Sequence, residues 1–180
     1  MLTDEYLKEV WEELGMLTTS WAQYELELFY LFQDVTRLDA ARGRIIWFNI
    51  TSLRGKIDIT ERLLEVGPPM RSVAEIKVEL EKDRKLCARR NRYVHGTYMT
   101  VEGKEGLVLA ALRELDYETT ERSVRPKEMQ AFSREVLDSM ERLSNLRKER
   151  EEREQAWCRR KDERRRAKLV KTDSDDETKG

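Results

Sequence analysis

Residues 7–38, LKEVWEELGMLTTSWAQYELELFYLFQDVTRL, decide the fold. Leu7, Val10, Leu14, Leu17, Trp21, Tyr24, Leu28, Leu31, Val35 and Leu38 follow an unbroken 3-4-3-4 spacing. Such spacing draws one apolar seam down a helix that packs at a shallow angle on its neighbours. Leu26, Phe29 and Phe32 widen the stripe, which suits a bundle better than an isolated coiled coil. Gly15 and the Thr18-Thr19-Ser20 cluster offer a break point, with Thr19 or Ser20 as an N-cap.

The same period continues downstream. Ile46, Ile50, Leu53, Ile57, Thr60 and Leu64 predict a second helix from about Arg44 to Val66, stopped by Gly67-Pro68-Pro69. A third helix starts near Ser72, carries Val73, Ile76, Leu80, Cys87 and Val94, and ends at Gly96, the expected left-handed residue after a helix. Thr97–Val101 and Leu107–Leu112 then read as a β-hairpin, with Glu118–Val124 as a further strand. Pro126 opens a last helix with Met129, Phe132, Val136, Met140, Leu143 and Leu146 on one face. The expected fold is mainly α: an up-and-down helical bundle with a small hairpin insertion (about 97–124) and a long charged C-terminal helix. Residues 1–146 form the bundle, 147–171 a solvated helical extension that the bundle folds without, and 172–180 a disordered acidic tail.

Charged residues make up 39% of the 180, yet apolar residues also reach 39%, so the composition is that of a folded chain whose charges cover exposed helix faces. A net charge of −1 gives no global field for nucleic acid or membrane, so electrostatic targeting has to be local. Cys87 and Cys158 show neither metal spacing nor a disulfide framework. No apolar leader or membrane-length run is present, so the reading is a cytoplasmic protein without a membrane partner.

The chemistry concentrates in Arg90-Asn91-Arg92-Tyr93-Val94-His95-Gly96, which holds the only histidine of the chain. Histidine is the side chain that most readily moves a proton near neutral pH. Asn91 lies one turn before His95 and is placed to hold the imidazole tautomer. Arg90 is about 140° from His95 around the helix, so only a long, flexible side chain can join them. A proton carrier beside a fixed cation suits cleavage of a phosphodiester by the adjacent ribose 2′-OH, which needs no metal or other cofactor and is specific to RNA. From Lys82 to Arg92, six cations (Lys82, Arg84, Lys85, Arg89, Arg90, Arg92) face one acid, Asp83. Arg84, Lys85, Arg89 and Arg92 are candidates to seat the RNA backbone, and Tyr93 and Tyr98 to stack bases. The competing readings are plain ones: cations near a helix end complement its dipole, and a histidine there caps carbonyls. A second basic block, Arg159–Arg166, carries six cations against two acids.

Arg90, Asn91 and His95, at the end of a long amphipathic helix and followed by Gly96, resemble the signature of the HEPN superfamily: Arg, a polar residue, and His after a gap of four to six. Lys56-Ile57-Asp58 is also similar to small bacterial members. The resemblance covers roughly residues 4–146. It implies a helical bundle and a metal-independent endoribonuclease of the kind found in toxin–antitoxin and defence systems. It also implies a homodimer in which two motifs share one cleft, and an antitoxin-like protein partner. Within this resemblance Arg90 stabilises the phosphate, Asn91 orients the imidazole and His95 carries the proton. The alternative it leaves is a non-catalytic dimerisation, adaptor or RNA-binding module.

Overall fold

Thr3 opens the first helix by accepting a hydrogen bond from the Tyr6 amide at 3.2 Å, and Asp4 and Glu5 complement the helix dipole behind it. In the computed structural model, described over residues 3–66, 71–101, 105–110 and 122–177, this helix, α1, runs Asp4–Thr36. It does not divide at Gly15 or at Thr18–Ser20. The hydroxyls of Thr18, Thr19 and Ser20 instead donate to the carbonyls of Leu14, Gly15 and Met16, four residues back, at 2.8–3.0 Å. That satisfies them inside a continuous helix and leaves no cap. The seam is buried at Val10, Leu17, Trp21, Tyr24, Leu28, Leu31 and Phe32, and Phe29 joins it. Leu26 does not, and stands half exposed.

The expected second helix is two helices. α2, Ala40–Asn49, is capped by Asp39, whose carboxylate accepts from the amides of Ala41 and Arg42. Ile50 is extended, and Ser52 starts α3, Leu53–Val66, by accepting from the Gly55 amide at 3.0 Å. The period through Ile46, Ile50 and Leu53 bridges this break by coincidence. What anchors α2 is Trp47, buried against Phe29 and Phe32 of α1. α4, Arg71–His95, buries Ile76, Leu80, Leu86, Cys87 and Tyr93.

After α4 comes an antiparallel sheet ordered β1-β2-β3, with β1 Thr97–Met99, β2 Val108–Ala110 and β3 Arg122–Ser123. Tyr98 faces Leu109 and Val108 faces Ser123 in its register. Tyr6 ties the sheet to α1: its hydroxyl donates to the Val124 carbonyl at 2.8 Å and accepts from the Leu107 amide at 3.1 Å. The Gly67-Pro68-Pro69 stop, the hairpin turn at 102–104 and residues 111–121 lie outside the described residues.

α5, Pro126–Glu177, is 52 residues long and closes the bundle along α1 and α4 through Met129, Phe132, Val136 and Leu143. A polar network pins the three helices together. Asp83 accepts from Tyr24 at 2.8 Å and from Ser139, while Glu79 accepts from Ser139 at 3.2 Å and from Arg142 at 2.7 Å.

The bundle does not end at residue 146. Arg147 binds Glu27 at 2.6 Å and Asp34 at 2.9 Å on α1, Arg150 is buried, and Glu154 pairs with Arg37. The first two turns of the expected extension therefore belong to the body, because their cations fall opposite acids at the end of α1. Gln155 and Cys158 still line a cavity with Asp34 and Arg37 of α1, the side chains of Arg159–Arg164 are exposed, and the helix runs on to Glu177. Residues 178–180 lie outside the described part. Among the described residues no helix is long and apolar enough to cross a membrane.

Candidate active site

The last turns of α4 bring Arg90, Asn91 and His95 together on the surface. One terminal nitrogen of Arg90 lies 3.0 Å from His95 Nε2 and 3.1 Å from Asn91 Oδ1. The reach of the arginine closes the angular gap around the helix, as its length required. Guanidinium nitrogens only donate, so Nε2 is the acceptor and the imidazole carries its proton on Nδ1. Asn91 acts differently from expectation. It holds Arg90 rather than the imidazole, because Arg90 fills the space between them.

Trp21 of α1 floors the site, 5.8 Å from the Arg90 guanidinium. Arg90 Nε is buried there without a hydrogen-bond partner. Burial pulls this guanidinium below the ordinary arginine range, against the opposing field of Glu25. Among the described residues no carboxylate forms an ion pair with Arg90. One turn earlier, Cys87 is no nucleophile: burial, aided by Asp83, pushes its thiol up to about 12. His95 itself is exposed.

Gly96 does not take the left-handed conformation expected of it; among the described glycines only Gly106 has positive φ. Glycine is needed at 96 because a Cβ would lie 2.4 Å from the Arg92 carbonyl oxygen and 2.5 Å from Leu109. Close approach of strand β2 to the helix end sets this residue.

Half of the basic strip is spent inside the fold. Arg84 reaches three carboxylates, Asp58, Glu61 and Glu81, which drive its pKa upward. Lys82 pairs with Glu79 at 3.0 Å, and Arg89 with Glu135 at 2.8 Å while lying 4.3 Å over Phe132. Lys85 and Arg92 remain exposed and without an ion pair among the described residues. Neither stacking candidate presents a free ring. Tyr93 is 5% exposed, 5.8 Å from Phe132, because it falls two turns after Leu86 on the face toward α5. Tyr98 is half-buried, edge-on to Trp11 at 5.5 Å, with its hydroxyl donating to the Tyr93 carbonyl.

Two neighbours of the site escape a reading of the motif alone. Glu25, beside Arg90, accepts from Lys56, whose side chain is 9% exposed. Lys56-Ile57-Asp58 thus ties α3 to both neighbours: Lys56 to α1, Ile57 to the core, Asp58 to Arg84 of α4. Trp21 and Glu25, four apart on α1, carry this signal only as a seam residue and its polar flank. Comparison with known proteins returns no match among family models, curated proteins or solved structures.

Proposed function

We propose that Arg90, Asn91 and His95 form half of a metal-independent RNA-cleaving site of HEPN type, completed by a second copy of the chain. The observation that carries this reading is the 3.0 Å contact between His95 Nε2 and an arginine that no carboxylate neutralises among the described residues. A substrate phosphate is a better acceptor for Arg90 than a neutral imidazole, because both its charge and its paired oxygens match the guanidinium fork. Moving Arg90 onto the non-bridging oxygens frees Nε2 to take the 2′-OH proton. The 2′-oxygen attacks phosphorus, the bond to the 5′-oxygen breaks, and a cyclic 2′,3′-phosphate and a 5′-hydroxyl result. The leaving oxygen takes its proton from His95 of the second copy, which answers the need for both a base and an acid.

Cleavage of mixed RNA in EDTA tests this. Wild type should cut, and His95→Ala and Arg90→Ala should each lose about 100-fold or more. No cutting by wild type, or equal cutting by the variants, overturns it. A second reading, a non-catalytic dimerisation or RNA-binding module, is favoured by the ion pairs that absorb Arg84 and Arg89. Under it the histidine variants keep every binding property of the wild type.

A further inference from the structure

Among the described residues the most exposed aromatic ring lies away from the motif, at the α2–α3 corner. Phe48 is 73% exposed and Ile45, one turn earlier, 65%. Their neighbour Trp47 is 2% exposed and wedged against Phe29 and Phe32, so Phe48 stands on a fixed base. A rigid ring left in water loses the free energy of burial, and it sheds that penalty when another flat surface covers it.

The local sequence around this ring carries cations and no acids. From Ala40 to Ile57 the chain has four cations, Arg42, Arg44, Arg54 and Lys56, and no acid, in a protein of net −1. Arg42 is partly used by the capping Asp39 at 3.3 Å. Arg44 and Arg54 are exposed and have no ion pair among the described residues. Arg44 is four residues before Phe48 and shares its helix face. Helix stability does not explain Arg54. It sits in the first turn of α3, where the dipole disfavours a cation and where no acid compensates. On α4, by contrast, three of the six strip cations, Lys82, Arg84 and Arg89, are held in ion pairs.

A chain of contacts joins the corner to the candidate site. The Lys56 ammonium lies 5.9 Å from the Phe48 ring and 5.0 Å from Trp47. Lys56 is bound to Glu25, and Glu25 acts on Arg90. We infer that the α2–α3 corner is a single-stranded RNA seat, with a base stacked on Phe48 and the backbone held by Arg44 and Arg54. This gives the RNA substrate of the proposed function the stacking ring that Tyr93 and Tyr98 do not supply, and it rests on that reading for its substrate class. Stacking on an aromatic face accepts any base, so the seat adds affinity and direction rather than sequence preference.

Binding is measured separately from cleavage, with a fluorescein-labelled 2′-O-methyl oligouridine 12-mer that offers no 2′-OH to attack. Anisotropy titrations across a salt series compare the full chain with its variants. Phe48→Ala and Phe48→Leu should each weaken binding at least about fivefold, whereas Phe48→Trp should retain it. Arg44→Ala with Arg54→Ala should lower the slope of log K against log salt by about 1.4. Met16→Ala, an exposed position of α1 outside both sites, should bind as wild type does. The inference falls if wild type does not bind the 12-mer or if Phe48→Ala binds equally well. It also falls if Phe48→Leu binds as tightly as wild type. Light scattering on the same samples supplies the remaining outcome. Loss of a dimer in Phe48→Ala assigns the ring to a second copy instead of RNA. His95-dependent cleavage with Phe48-independent binding sinks this inference alone, and Phe48-dependent binding without cleavage sinks the nuclease reading alone.

Discussion

At the scale of single residues, Gly96 and Arg37 exchange the roles usually given to them. Arg37 ends α1 in the left-handed region at φ 54°, where glycine is the residue at ease. Gly96 has an ordinary φ and is glycine because two pieces of chain touch there. Gly96→Ala should therefore cost about 1–3 kcal/mol, the usual range for forcing atoms into a filled space. A shift in the urea midpoint with an unchanged slope would check it; an unaltered midpoint would show that β2 moves aside freely. A glycine after a helix reads the same in sequence whether its torsion or its neighbours demand it. The motif residues show the same limit. That Arg90 could reach His95 was legible from helix geometry. That Asn91 would be taken by Arg90 was not, since three side chains compete for two bonds.

At the scale of elements, the network of Tyr24, Asp83, Ser139, Glu79 and Arg142 joins α1, α4 and α5 and makes their packing depend on pH. Burial pushes the Asp83 carboxyl from an ordinary 3.8 up to about 6. The folded chain then holds this proton more tightly than the unfolded chain does. Stability from Asp83 is full below about pH 4, falls as pH rises to about 6 and is level above that, with a slope of at most about 1.4 kcal/mol per pH unit. Glu79 runs the other way. Its partners hold its pKa below the ordinary carboxylate value, so its contribution is lost as the medium is acidified. Comparing urea midpoints of wild type and Asp83→Asn isolates the first effect, and the advantage of wild type should shrink between about pH 4 and 6. Parallel curves would contradict it. α5 carries a second prediction. Removing residues 159–180 should leave the thermal midpoint in place, because the side chains of Arg159–Arg164 are exposed. Removing 147–180 should cost about 2–4 kcal/mol, since Glu27 and Asp34 lose Arg147. Equal midpoints for the two truncations would count against this boundary. The helix was legible from its period, but the boundary was not. Four cations and four acids in eight residues, 147–154, look solvated until α1 supplies the facing acids.

At the scale of the whole molecule, the mainly α bundle, the hairpin after Gly96 and the long last helix were legible because amphipathic period is a local property. The surface charge was not, because pairing is a property of elements far apart in the chain. Arg84 looks like a phosphate ligand beside Lys85 and proves to be a brace between α4 and α3. Unpaired cations also stand at the α2–α3 corner, where Arg44 and Arg54 have no ion pair among the described residues. The main contact of the fold, α1 with α5, has one more consequence. α1 leaves the ribosome well before its principal neighbour, α5. The seam from Val10 to Phe32 must wait for residues 129–147, about a hundred positions later. At roughly 5–20 residues per second, that is roughly 5–20 seconds of synthesis with Leu17, Leu28 and Phe32 unsheltered. The nascent chain is thus most prone to sticking to other chains before α5 emerges.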